Sequence, residues 1–310
     1  MIAVSPPATG SRAARQSRSF ARSPGIVLAA TILTFVVGAA LLADIVSPYS
    51  FTAQDPGRAY EGPSSDHWFG TDQLGRDLLT RLLHGARVSL AVGCVTQMVI
   101  LLIGVPIGTI TGYLGGRVDQ LLMRAVDVMY SFPDLLLVII IMTATRAATR
   151  DPSRGSLSAL LANADAAAGG LLGVFISLSV ISWLTVARLV RGQVLSLRER
   201  EFIQAARVVG AGPIRIMACH LVPNTFGIIL VAAALGIPRA ILVEAALSFI
   251  GLGVQAPITS WGVMILEGYK ALRASPPLLI APAAALSLTV LACNLIADGL
   301  RSRADDHGMA

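Results

Sequence analysis

Six stretches of the chain are apolar over about the length of a membrane crossing, and polar islands separate them. They run near 26–46, 88–112, 121–143, 171–195, 225–250 and 277–298, each close to the roughly 20 residues that span a hydrocarbon core. The pattern predicts an all-α polytopic membrane protein with six transmembrane helices. The most informative island, 199–224, falls between the fourth and fifth. There Phe202, Ala205, Ala206 and Val209 stand at i, i+3, i+4 and i+7, so a helix would line one face with them and turn Glu199, Arg200 and Arg207 away. Gly210 suits the left-handed residue that ends such a helix, and Pro213 the first turn of the next. Two alanines in succession let a partner approach closely. A solvated connector lying on the bilayer surface fits the same periodicity.

Composition strengthens the membrane assignment and charge orients it. The 310 residues are 55% hydrophobic and 14% charged, with a mean hydropathy of +0.72, far above the needs of a soluble domain. A net charge of +6 would admit nucleic acid, but the arginines are scattered and no aromatic-lined basic stretch accompanies them. Anionic lipid and loop orientation explain it better. Arg12, Arg15, Arg18 and Arg22 make residues 1–24 a basic, disordered cytoplasmic arm. Arg188, Arg191, Arg198, Arg200, Arg207 and Arg215 outweigh Arg146, Arg150 and Arg154, so both chain ends and the 199–224 loop are expected on the cytoplasmic side. The resulting division is the arm, a first helix with its extracytoplasmic loop (25–84), a transmembrane body (85–301) and a short cytoplasmic tail (302–310). The first apolar run also fits a secretory h-region with Gly38-Ala39-Ala40 as its cleavage site, although it is long for one.

Charged and small residues within the spans narrow the choices. Gly104 and Gly108, four apart, offer a face for close helix packing, and Pro106 predicts a kink or break beside them. Arg124 and Asp127 at i, i+3 can pair locally; Asp127 and Ser131 are the candidates for a translocation path on the third span. Arg239 and Glu244, five apart on the fifth span, are poorly placed to pair and are candidates for a wet interface on that path. The 47–86 loop is expected to be anchored by Trp68 and Phe69 and to carry a short helix from Asp77 to His84. Trp261 would anchor the loop from Gln255 to Arg273 in the same way. Cys94, Cys219, Cys293 and the four histidines show no metal-ligand spacing. No phosphate-binding Gly-x-x-x-x-Gly-Lys-Ser/Thr loop, Gly-x-Ser-x-Gly elbow or His-Glu-x-x-His pair occurs. The chain is therefore expected to be no enzyme, with no cofactor of its own.

Ala205-Ala206, then Gly210, then Pro223-Asn224 resembles the EAA loop of permease subunits in binding-protein-dependent ABC importers. Gln204 departs from the glutamate usual there and Val222 from the usual leucine. Phe69-Gly70-Thr71-Asp72, Leu74-Gly75-Arg76-Asp77, the run from Glu244 to Gln255 and Asp298-Gly299-Leu300-Arg301 resemble the C-type permease subunits of dipeptide and oligopeptide importers. The resemblance covers about 66–301. It implies a bacterial inner-membrane subunit that forms half of a peptide pathway with a second, related permease. It implies two ATPase domains or subunits that bind ATP and Mg, and an extracytoplasmic peptide-binding protein that delivers cargo at the outward loops. Under that resemblance Phe202 anchors the ATPase contact, Ala205 and Ala206 form the close-approach surface, and Gly210 makes the turn. Glu201 and Arg207 supply rim charges, and Gln204 lies within the same ATPase-coupling helix. An ion-coupled secondary transporter or channel, acting through Asp127, Arg239 or Glu244, is the alternative.

Overall fold

A computed structural model describes residues 24–306, and among these every regular element is helical apart from an isolated bridge between Thr71 and Asp77. The proposed arm, but for Pro24, and the last residues of the tail lie outside the described residues. Five helices are long and apolar enough to cross a membrane: α1 (Pro24–Leu41), α2 (Leu78–Leu114), α6 (Leu172–Leu197), α8 (Phe226–Phe249) and α10 (Pro277–Asp306). A sixth crossing exists if α3 (Gly116–Tyr130) and α4 (Asp134–Arg150), which meet at 90°, count as one. The shorter α5 (Ser156–Ala167), α7 (Glu201–Val208) and α9 (Trp261–Lys270) join them.

The straight third span expected over 121–143 is thus a bent pair. Its break falls at Ser131-Phe132-Pro133, where the Pro133 ring disfavours helical geometry at Phe132 and offers no N–H to the preceding turn. The expected helix over 77–84 and the span over 88–112 are one helix instead. No breaker separates them, because Gly85 is helical and packs against Trp261 and Met264. Pro106 leaves α2 continuous.

Helix α2 is the axis of the bundle. Its 37 residues extend about 55 Å at the usual helical rise, so its two termini mark opposite ends of the molecule. Helix α6 runs parallel to it, with Gly104 against Val186, Gly108 against Val190 and Gly112 against Val194. A Cβ at Gly108 would sit 2.5 Å from the Ala187 carbonyl oxygen, so these glycines let two backbones meet where lipid supplies no hydrophobic drive. Helix α8 runs antiparallel to α2, with Gly93 against Ile237 and Ile241 and Gln97 beside Gly236. Arg87 of α2 clasps the end of α1 through the carbonyls of Ala40 and Leu41 and the Asp44 carboxylate. Helices α9 and the start of α10 pack at the same Leu78 end, where Gly268 abuts the Leu278 carbonyl.

Candidate functional site

At the Leu114 end, Arg198 donates to the Gly112 carbonyl at 3.2 Å as the chain leaves α6. Helix α7 follows. Its one fully buried side chain is Ile203, which joins Ile216, Leu221, Val190 and Val194 in a single apolar cluster. The helix ends in a Schellman turn: Gly210, at φ 89°, donates to Arg207 O at 2.9 Å, and Ala211 donates to Ala206 O at 2.9 Å. Pro213 opens the next turn. A π-helical turn over Met217–Leu221 precedes Pro223, and Asn224 Nδ2 donates to the His220 carbonyl at 2.6 Å. A proline removes one backbone donor from a helix, and the asparagine amide next to it supplies another.

The outer side of this segment carries several large apolar side chains that are exposed. Phe202 is 42% exposed, Val208 88%, Val209 87% and Ile214 79%. Ala205 shares that side; Ala206 is half-buried and leans on the Ile203 cluster. Glu201, Gln204 and Arg207 are exposed, and the Arg207 guanidinium lies 5.2 Å from the Tyr113 ring. The anchor Ile203 was missed by the periodicity, which grouped the outward residues. Its signal was an isoleucine beside Gln204 in an otherwise polar island, with Ile216 downstream.

Midway along the bundle lies a cavity of about 360 Å³ between α2, α4, α6 and α8. Its walls include Ile100, Val138, Ile181 and Leu235, and its polar groups include Gln97, Asp134 and Arg239. Of the four residues expected on a path, Arg239 alone lines this cavity. Asp127 pairs with Arg188 across to α6 at 2.5 Å, not with Arg124, because the α3 turn aims it at the neighbouring helix. Ser131 donates to the Asp127 carbonyl. Glu244 is fully buried and lines no wet interface: its Oε1 accepts from Ser248 and Ser260, which caps α9. Asp134, 3.8 Å from Arg239, was passed over inside the expected third span. A proline followed by an acidic residue is a helix-start signal that could have found it.

The Leu78 end is built on buried charge. Asp72 Oδ2 accepts from Arg76 Nε at 2.6 Å and Arg81 Nη1 at 2.5 Å, and Glu267 of α9 reaches both arginines, at 3.3 and 2.6 Å. Asp72 Oδ1 takes the backbone N–H groups of Leu74 and Arg76, and Arg81 donates to Thr259. Asp77 caps α2 through the Thr80 N–H and also holds His67 at 2.9 Å. Gly75, at φ 70°, passes so close to Asp55 that a Cβ would lie 1.7 Å from its carbonyl oxygen. Outside this cluster, Arg58 holds the Glu61 carboxyl below its ordinary range through hydrogen bonding. Trp68 and Phe69 are exposed, but Trp261 is buried, donating from its indole to Leu82 O and from its backbone to Ser89. The tryptophan expected at an interface is instead a bolt between α9 and α2.

Residues 104–306 match the family described as binding-protein-dependent transport system inner membrane component. The chain is 38% identical to an oligopeptide transport system permease protein of Bacillus subtilis over 88% of this chain and 83% of the relative. It is 40% identical to a dipeptide transport system permease protein of the same organism over 88% and 79%. A glutathione transport system permease protein of Pectobacterium atrosepticum is 36% identical over 93% and 89%. None of these relatives supports the ion-coupled alternative. The family match takes in α7 and every helix from the second half of α2 onward, so the chain belongs to the family of inner membrane components of binding-protein-dependent transport systems.

Proposed function

We propose that the chain is one of two related membrane subunits of an ATP-driven importer of short peptides, and that α7 is where a separate ATPase grips it. Both chain ends and α7 are cytoplasmic in this reading, while the loops around Asp72 and α9 face outward and receive the binding protein. The bent α3–α4 pair supplies the sixth crossing. ATP and Mg sit on the partner ATPases, and cargo class follows the peptide-transporting relatives.

One observation carries the reading: α7 and the Val209 that ends it expose Phe202, Val208 and Val209 while Ile203 ties the helix to α2 and α6. Exposed apolar residues on a segment with few neighbours mark an interaction surface. A partner that seizes the outer side therefore pulls on α6 through the inner side. Such a transition requires that ATP favour one global state over the other, since equal affinity for both shifts nothing. The cavity face, with Gln97, Asp134 and Arg239, lines the path.

The experiment is ATP-dependent peptide uptake into proteoliposomes holding the subunit with its partner permease, ATPases and binding protein. Ala205→Glu is expected to leave the subunit inserted and the ATPases active while uptake is lost. Uptake at the wild-type rate by this variant contradicts the proposed role of α7.

A further inference from the structure

The central cavity holds an ion pair in an unusual position. Gln97, on its wall, lies about 28 Å along α2 from Leu78 by helical rise, near the middle of the bundle. Ionisable groups at that depth do not face hydrocarbon; they face protein or water. Yet the Asp134 and Arg239 side chains are 54% and 61% exposed, and their closest approach is 3.8 Å. By contrast Asp119 grips Arg191 through two hydrogen bonds, at 2.5 and 2.6 Å, and both of those side chains are less exposed. The cavity pair thus retains open acceptor sites on the carboxylate and open donors on the guanidinium, a fork that suits a second carboxylate.

We infer that this pair is a subsite for the two charged ends of a peptide: Arg239 receives the terminal carboxylate, Asp134 receives the terminal ammonium, and the apolar walls take a side chain. Charge complementarity selects this occupant, because an acyl chain or an apolar helix from another subunit offers nothing to the donors and acceptors that the pair leaves open. The volume of about 360 Å³ is at the small end of the roughly 300–1,000 Å³ usual for ligand pockets, enough for a side chain with adjoining main chain. Because the two residues can also pair with each other, each arriving peptide end replaces an existing contact. Binding is then weak enough for release, as passage requires. The inference rests on the importer reading.

Three forms of one tripeptide, alanyl-leucyl-alanine, test it: free, C-terminally amidated and N-acetylated. Uptake by the complete transporter is expressed for each form as variant over wild type, which cancels the preference of the binding protein. Arg239→Gln should lower the ratio for the free peptide about tenfold more than for the amidated form, and Asp134→Asn about tenfold more than for the acetylated form, as expected for a lost charge-assisted hydrogen bond. An independent readout is thiol labelling of Leu235→Cys in a chain otherwise lacking cysteine, with free peptide protecting it and Arg239→Gln abolishing the protection. Equal ratios for all three forms, or labelling that no peptide affects, overturn the subsite. Either result with ATP-driven uptake intact leaves the importer reading standing, whereas wild-type transporter that takes up no form with ATP removes both.

Discussion

The two ends of the bundle solve opposite problems. At the Leu78 end, two arginines and two acids close on one another beneath the surface, so the loop that precedes α2 and helix α9 are fastened to α2 by groups that cannot be separated singly. At the Leu114 end, α7 is fastened chiefly by one buried isoleucine, and large apolar side chains stand exposed on its outer side. A buried charge network tolerates little movement, because every partner removed leaves another desolvated. An apolar contact slides and re-forms without that penalty. The comparison teaches that one end is built to hold shape, while the other keeps the exposed apolar side on which the proposed ATPase contact depends.

The largest expected effect breaks the first half of the comparison. Asp72→Ala leaves Arg76 and Arg81 with Glu267 as their one carboxylate and should destabilise the subunit by about 3–5 kcal/mol, the usual result of orphaning a buried charge. Thermal melting of the purified complex reads this; a loss below about 1 kcal/mol would mean the network is wet, given the cost of truly buried charge. Ile203→Ala comes next, at about 2–4 kcal/mol for the emptied site. The change should be local, so proteolysis within 199–224 accelerates while the melting of the rest moves less. Arg188→Ala removes an exposed pair and should cost about 1 kcal/mol or less, checked by the same melting curve. Phe202→Ala is the smallest in stability, within about 0.5 kcal/mol as for exposed positions. Its uptake should nonetheless fall severely, and that separation of stability from transport sharpens the comparison.

Much of the Leu114 end was readable from local pattern, because its cues lie within one helical turn. Gly210 announced its left-handed turn and Pro213 its helix start, and both occupy those positions. The Gly104–Gly108 face was legible for the same reason. The Leu78 end was not, since its logic is pairing across long sequence separations: Arg81 with Glu267, Trp261 with Leu82 and Ser89. Trp261 looks interfacial by type and is buried by partnership. Asp127 shows the same failure at short range, as spacing offered Arg124 while packing supplied Arg188. Asp134 is hidden in an apolar run that reads as one straight span, and the bend at Pro133 brings it to the cavity.

The central claim, that a separate nucleotide-hydrolysing protein grips α7, is tested most directly by cysteine crosslinking. Phe202→Cys and Val209→Cys, in a chain without its three native cysteines, are treated with a short bifunctional thiol reagent in membranes containing the whole transporter. The account predicts adducts with the ATPase subunit whose yield changes when ATP is added. Labelling of these positions by membrane-impermeant reagents from outside the cell, with no ATPase adduct in either condition, would contradict it.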